Sequence, residues 1–237
     1  MESKHCSQEV ELLKILKDLQ PIFTAALNSL ENEKGLTQKS RYLGWAAKSV
    51  DLATDSYMLL REAGRMHGSK SLIRPMFETV IAAGAVANEK GILFQKYYTE
   101  IAKANKLFSK DATHQARAKE ELEELKQIFQ QEDPAYPIKC KELKISTMAK
   151  AAKLPDAFYE VGYSTYCEFT HGSLRAVMGK LNDATDPIDT SNVISCALIV
   201  LDLLQKHTSA IVPDLSPFLE RQATHSMVWR RRALEGG

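Results

Sequence analysis

The sequence has few of the signals that build a β-sheet. It shows no sustained alternation of apolar and polar residues, and no Asn-Gly or Asp-Gly pair that would turn a hairpin. Cysteine is scarce: Cys6, Cys140, Cys167 and Cys196 are far apart and form no CxxC pair. That excludes a disulfide framework and points to a reducing, cytoplasmic setting. Charge of one sign is not in excess, since 31 Lys and Arg face 30 Asp and Glu for a net +1. No global electrostatic footprint for nucleic acid or a membrane surface follows. No apolar run comes near the ~18 residues of a membrane span, and the charged start MESKHCSQEVELLK has no apolar signal core. There is no HExxH, no zinc-type Cys/His spacing, no Gly-rich phosphate loop and no nucleophile elbow. No metal and no cofactor are therefore expected.

Helical periodicity fills the chain instead. Val10, Leu13, Leu16, Leu19, Phe23, Ala26 and Leu30 share one face of a first helix, which Pro21 should kink or split. Thr37 can cap a second helix with the stripe Tyr42, Ala46, Val50, Ala53, Tyr57 and Leu60. A polar turn over 65–69 precedes a third helix, Ser71 to Asn88. A fourth starts at Gly91 and runs through Phe94, Tyr97, Tyr98, Ile101 and Leu107. From about Asp111 to Glu132 a charged outer helix has only the seam Leu122, Leu125 and Ile128 or Phe129. A thin seam of this kind suits solvent, or a partner protein. A short helix over 146–153 follows, then one from Pro155 to about Thr170. A polar turn over 182–189 leads to an N-cap at Thr190 or Ser191 and an apolar helix stopping at Pro213. A final helix runs from Ser216 to Arg232. The expected architecture is all-α: one domain over 1–237, about eight helices, a core over 37–213 and a frayed tail over 230–237.

The helix from Ser71 to Asn88 should be central. Its second half is nearly all Ala, Gly and Val, small enough for neighbouring backbones to approach closely. Yet it carries Arg74 and Glu78, spaced i and i+4 on one face. Buried charges come paired, so a structural ion pair is one reading. A ligand site is the other, because Arg before Glu is the weaker intrahelical order and Arg is badly placed near a helix N-terminus. A second helix has the partners such charges need. Tyr159, Tyr163, Tyr166 and Thr170 share a face, and Tyr163, Cys167 and His171 form the adjoining ridge. Stripes of this kind are usually core, but buried hydroxyls need hydrogen-bond partners. Arg74 and Glu78 should therefore meet Tyr163, Tyr166 or His171.

These residues carry a family resemblance. Leu72-Ile73-Arg74 with Phe77-Glu78, followed by Tyr163-x-x-Tyr166 and Thr170-His171-Gly172-Ser173, resembles a bacterial all-α family catalogued as domain of unknown function 5677. The likeness spans roughly 42–204 and implies that Arg74, Glu78, Tyr163, Tyr166 and His171 form the family's polar cluster. Pro75, directly after the arginine, departs from an undisturbed helix there. The family is loosely similar to HEPN helical proteins, many of them metal-independent ribonucleases in toxin or phage-defence systems. Their Arg-x4–6-His signature has a match in Arg61 and His67. With ten arginines and six histidines, chance gives roughly 0.8 such matches, and Glu62 beside Arg61 would repel phosphate. That match is background.

Two functions follow. In one, Arg74, with Tyr166 and Thr170, binds an RNA or another phosphate-bearing ligand, while His171 is the general acid/base beside Glu78 and Tyr163. In the other, the chain is a non-catalytic interaction protein, and the cluster is a polar network that fixes helix register. A homodimer is expected from the apolar surfaces of 71–88 and 192–212.

Overall fold

The computed structural model describes residues 2–107, 111–155, 158–163, 166–167 and 186–235, without the side chains of 2–8, 66–67, 160–161, 186 and 226–235. Eight α-helices cover most of them: α1 Glu2–Glu31, α2 Gln38–Glu62, α3 Met66–Asn88, α4 Ile92–Leu107, α5 Ala112–Glu132, α6 Ile145–Ala152, α7 Asp186–His207 and α8 Ser216–Glu235. A π-helical turn, Phe158–Tyr163, follows α6. No strand occurs among the described residues. The fold is all-α.

Helix α3 is the hub. It touches α2, α4, α6, α7 and the π-helical turn. Ile73, Met76, Phe77, Val80, Ala83 and Ala87 enter a large apolar core with α1, α2 and α7. Ala82, Ala85 and Val86 face a second core with α4, α5 and α6. Serving two cores requires small side chains on both sides. A Cβ at Gly84 would come within 3.0 Å of the Ala152 Cβ on α6, so even alanine is tight there. Asn88 fastens the same contact, its Nδ2 donating to the Ala152 carbonyl at 2.9 Å.

Several boundaries differ from the sequence reading. Helix α1 runs unbroken through Pro21, which is exposed; the carbonyl it leaves without an amide can bond water. Its core face is led by Leu12, Ile15, Leu16 and Leu19, while Val10 is exposed. On α2, Thr37 is the N-cap and accepts from the Ser40 amide at 3.1 Å. Helix α3 begins at Met66, so the supposed turn at 65–69 is its first turn. Pro75 is therefore an interior proline on the exposed side, and Arg74 is two turns inside the helix. The N-terminal objection to Arg74 falls away. Leu107 is exposed, and α4 buries Ile92, Leu93, Phe94, Gln95 and Thr99 instead. Helix α5 buries only Ala118 and Phe129, and Phe129 meets Phe94 edge to face. Helix α7 starts at Asp186, so Asp189 and Thr190 are buried helix residues, not a turn and a cap. Helix α8 continues to Glu235, beyond the expected end at Arg232.

Two expectations drawn from apolar surface change. The segment Pro187–His207 is long and apolar enough to cross a membrane, but 67% of its apolar window is buried inside this fold. Asp189 and Asp202 interrupt its apolar run in the sequence. Helices α3 and α7 also spend their apolar faces on the core. They leave little for the dimer interface they were expected to supply.

Candidate functional site

Arg74 lies on α3 with its guanidinium turned along the helix. Its Nε donates to Glu78 Oε1 at 3.0 Å, and its Nη2 donates to Tyr163 Oη at 3.4 Å. Tyr163 Oη in turn donates to Glu78 Oε1 at 3.1 Å, and the guanidinium sits 5.5 Å from the Tyr163 ring centre. The three groups close a triangle. A glycine makes that approach possible. A Cβ at Gly162 would collide with the Phe77 ring, so only glycine lets the π-helical turn lie on α3. Phe158 packs on the same ring at 4.3 Å. Single π turns of this sort recur at functional sites.

The triangle stands at a rim. The Arg74 side chain is 16% exposed and that of Glu78 is 42% exposed. Burial alone would weaken the Arg74 charge, but the Tyr163 oxygen and the Glu78 carboxylate more than offset it and raise its affinity for the proton. Burial, and next the Glu78 carboxylate, push the Tyr163 hydroxyl up to about 12. Tyr163 is thus a hydrogen-bond donor at neutral pH, not a base. Its ring stacks on Tyr159 at 5.4 Å. Tyr159 also lines a cavity of about 140 Å³ with Ile81, Ser146, Lys150, Leu154 and Phe158.

Tyr166 goes elsewhere. Its hydroxyl donates to Asp189 Oδ1 at 2.6 Å and accepts from Asn192 Nδ2 at 2.9 Å, both on α7. Asp189 also pairs with Lys70 of α3 at 3.3 Å, and these two side chains are 5% and 7% exposed. Beside them Tyr57 Oη and Thr190 Oγ1 share a hydrogen bond at 2.9 Å. The shared face expected for Tyr163 and Tyr166 assumed α-helical phase. Tyr163 instead closes a π-helical turn, and the two hydroxyls reach different elements, Glu78 on α3 and Asp189 on α7. Tyr166 is walled in against Phe77, and burial pushes its hydroxyl pKa well up. It is not placed to bind a ligand held by Arg74.

Sequence reasoning missed Lys70, Asp189, Thr190 and Asn192. The signal was Lys70, Arg74 and Glu78 at successive i+4 steps, but it required α3 to start before Ser71. Thr170 and His171 lie outside the described residues. Arg61, of the background Arg/His match, is buried and pairs with Glu9 over the Tyr57 ring, so it is not presented to a phosphate. The His67 side chain is not described. Cys140, Cys167 and Cys196 are free thiols. Among the described residues no three His, Cys, Asp or Glu side chains gather as a metal-ion cluster would. A larger groove, about 1000 Å³ between α4 and α5, is lined by Glu100, Glu120, Glu121 and Glu124. It shares no residue with the Arg74 triangle, and its acidic wall would repel anions.

The Arg74–Glu78 helix and the tyrosines that meet it fall within residues 41–188. Those residues match the sequence model described as "Family of unknown function (DUF5677)". The chain belongs to that family. The match covers more than half of the chain and includes the Arg74 triangle, Lys70 and Tyr166, but stops just short of Asp189, Thr190 and Asn192. No curated protein and no solved structure matches the chain. DUF5677 membership attaches no reaction to the chain.

Proposed function

We propose that the Arg74–Glu78–Tyr163 triangle is a ligand site for a phosphate-bearing molecule, an RNA or nucleotide phosphodiester, in a cytoplasmic defence or toxin-like role. The observation supporting this reading is exposure: the triangle lies at a rim beside a cavity, where a ligand can reach the guanidinium. A guanidinium matches phosphate oxygens with paired donors. The exposed Glu78 carboxylate can swing into water as the phosphate takes its place on Nε, and the Tyr163 hydroxyl adds a neutral donor. Aromatic faces such as that of Tyr159 accept a base by stacking. His171 supplies the general acid/base. It removes the 2′-hydroxyl proton, the 2′-oxygen attacks phosphorus, and the resulting imidazolium returns the proton to the 5′-oxygen as its bond to phosphorus breaks, leaving a 2′,3′-cyclic phosphate.

The rival reading, a non-catalytic interaction protein with a structural polar network, suits the enclosed Lys70–Asp189–Tyr166 cluster better than the rim. The deciding experiment is cleavage of a labelled single-stranded RNA in the presence of EDTA. Wild type is expected to cut it, His171→Ala to lose cutting, and Arg74→Ala to weaken RNA binding about tenfold or more, as loss of a charged hydrogen bond does. RNA that is neither bound nor cut by wild type, or cutting that survives both substitutions, sinks the proposal.

A further inference from the structure

Helix α2 carries an apolar row that the core does not use. Trp45, Leu52 and Leu59 are 54%, 57% and 66% exposed. They recur every seven residues, the spacing that keeps side chains in line along a helix packed on another helix. Beside them, at the same spacing, runs a second row: Arg41, Lys48, Asp55 and Glu62. Its charges are segregated, with two cations in the N-terminal half and two anions in the C-terminal half. Such a row repels a parallel copy of itself. It complements an antiparallel copy at every position.

We infer that this face of α2 is the seam of a symmetric homodimer, occupied by α2 of a second copy of this chain running antiparallel. Both rows then have one centre, next to Leu52. A twofold axis there sets Leu52 on the partner's Leu52 and Trp45 on the partner's Leu59. The same axis sets Lys48 opposite the partner's Asp55 and Arg41 opposite the partner's Glu62. Contacts within the chain already steady the row: Gln20 hydrogen-bonds Asp55, Lys17 pairs with Glu62 at 2.9 Å, and Arg41 Nε donates to the Leu36 carbonyl at 3.2 Å. A carboxylate has acceptor sites for a second cation as well. Tyr42 supports the Trp45 ring at 5.5 Å. At 25 residues, α2 is about 37 Å long, enough for all three layers. This seam is independent of the RNA reading above.

Light scattering on the full chain at tens of micromolar tests it. The expected mass is twice 26.5 kDa, falling to the monomer in Leu52→Glu with an unchanged circular-dichroism spectrum. A charge exchange then reads the direction of pairing. Arg41→Glu with Lys48→Glu should be monomeric alone, as should Asp55→Lys with Glu62→Lys. Mixed together, these two variants should form a heterodimer, because all four antiparallel pairs are again opposite in sign. A wild-type mass near 26.5 kDa, a Leu52→Glu protein that stays dimeric, or variants that do not pair when mixed would each overturn the seam.

Discussion

Lys70 and Arg74 stand one turn apart on α3, and each meets a carboxylate and a tyrosine. Lys70 pairs with Asp189, which accepts from Tyr166. Arg74 pairs with Glu78, which accepts from Tyr163. The chemistry is nearly the same, and the surroundings are not. The first set is enclosed between α3 and α7, whereas the second opens on solvent. An enclosed pair is stabilising only as a complete set, since removing one partner strands a charge in a poorly polarisable interior. A rim pair is screened by water and replaceable, and those properties suit a ligand site. Burial, not residue type, separates a structural network from a candidate site in this chain.

The comparison can be broken most directly at the enclosed pair. Asp189→Ala leaves Lys70 buried without its carboxylate and should cost roughly 3–5 kcal/mol, read as a shift of the urea midpoint. A loss below about 1 kcal/mol, the surface-pair value, would mean that water reaches the cluster. Tyr166→Phe is the next step down. It removes the donor to Asp189 and the acceptor of Asn192, for an expected loss of about 1–3 kcal/mol, while RNA binding should be unchanged.

At the rim, Glu78→Ala should cost less than about 1 kcal/mol, because Arg74 can turn to water. The measurement that sharpens the contrast is the pair of urea melts, Asp189→Ala against Glu78→Ala. Equal losses would erase the distinction. The smallest effect is expected on α2. Burial and then Asp55 raise the Asp51 carboxyl from its ordinary 3.8 to about 6. The folded chain thus holds this proton more tightly than the unfolded chain. That advantage is fully present below about pH 4 and is lost as pH rises through about 6. Asp51→Asn should therefore stabilise the protein at pH 7, by about 1 kcal/mol or less once solvent screening is counted. Melts at pH 4 and pH 7 check the sign: no gain at the lower value, a gain at the higher.

The meeting of Arg74 and Glu78 with Tyr163 was legible because charge on an apolar helix and hydroxyls on another solve each other's desolvation. The enclosed cluster was not. Lys70 fell just before the expected helix start at Ser71 and Asp189 at the end of a polar turn, since sequence alone places helix starts within only a few residues. Pro21 misled in the opposite direction: a proline on the wet side of a helix need not interrupt it.

Periodicity in the sequence was enough for the helices themselves, the centrality of α3 and the all-α class. Apolar residues every three to four positions can bury one face only as a helix, and the Ala and Gly of α3 suit close packing on two sides. Which tyrosine meets which carboxylate was decided by tertiary structure alone. Gly162 lets a π turn rest on Phe77, which brings Tyr163 to Glu78, while Tyr166 reaches Asp189 on α7. Local propensity has no access to that step, because it depends on a ring contributed by another helix.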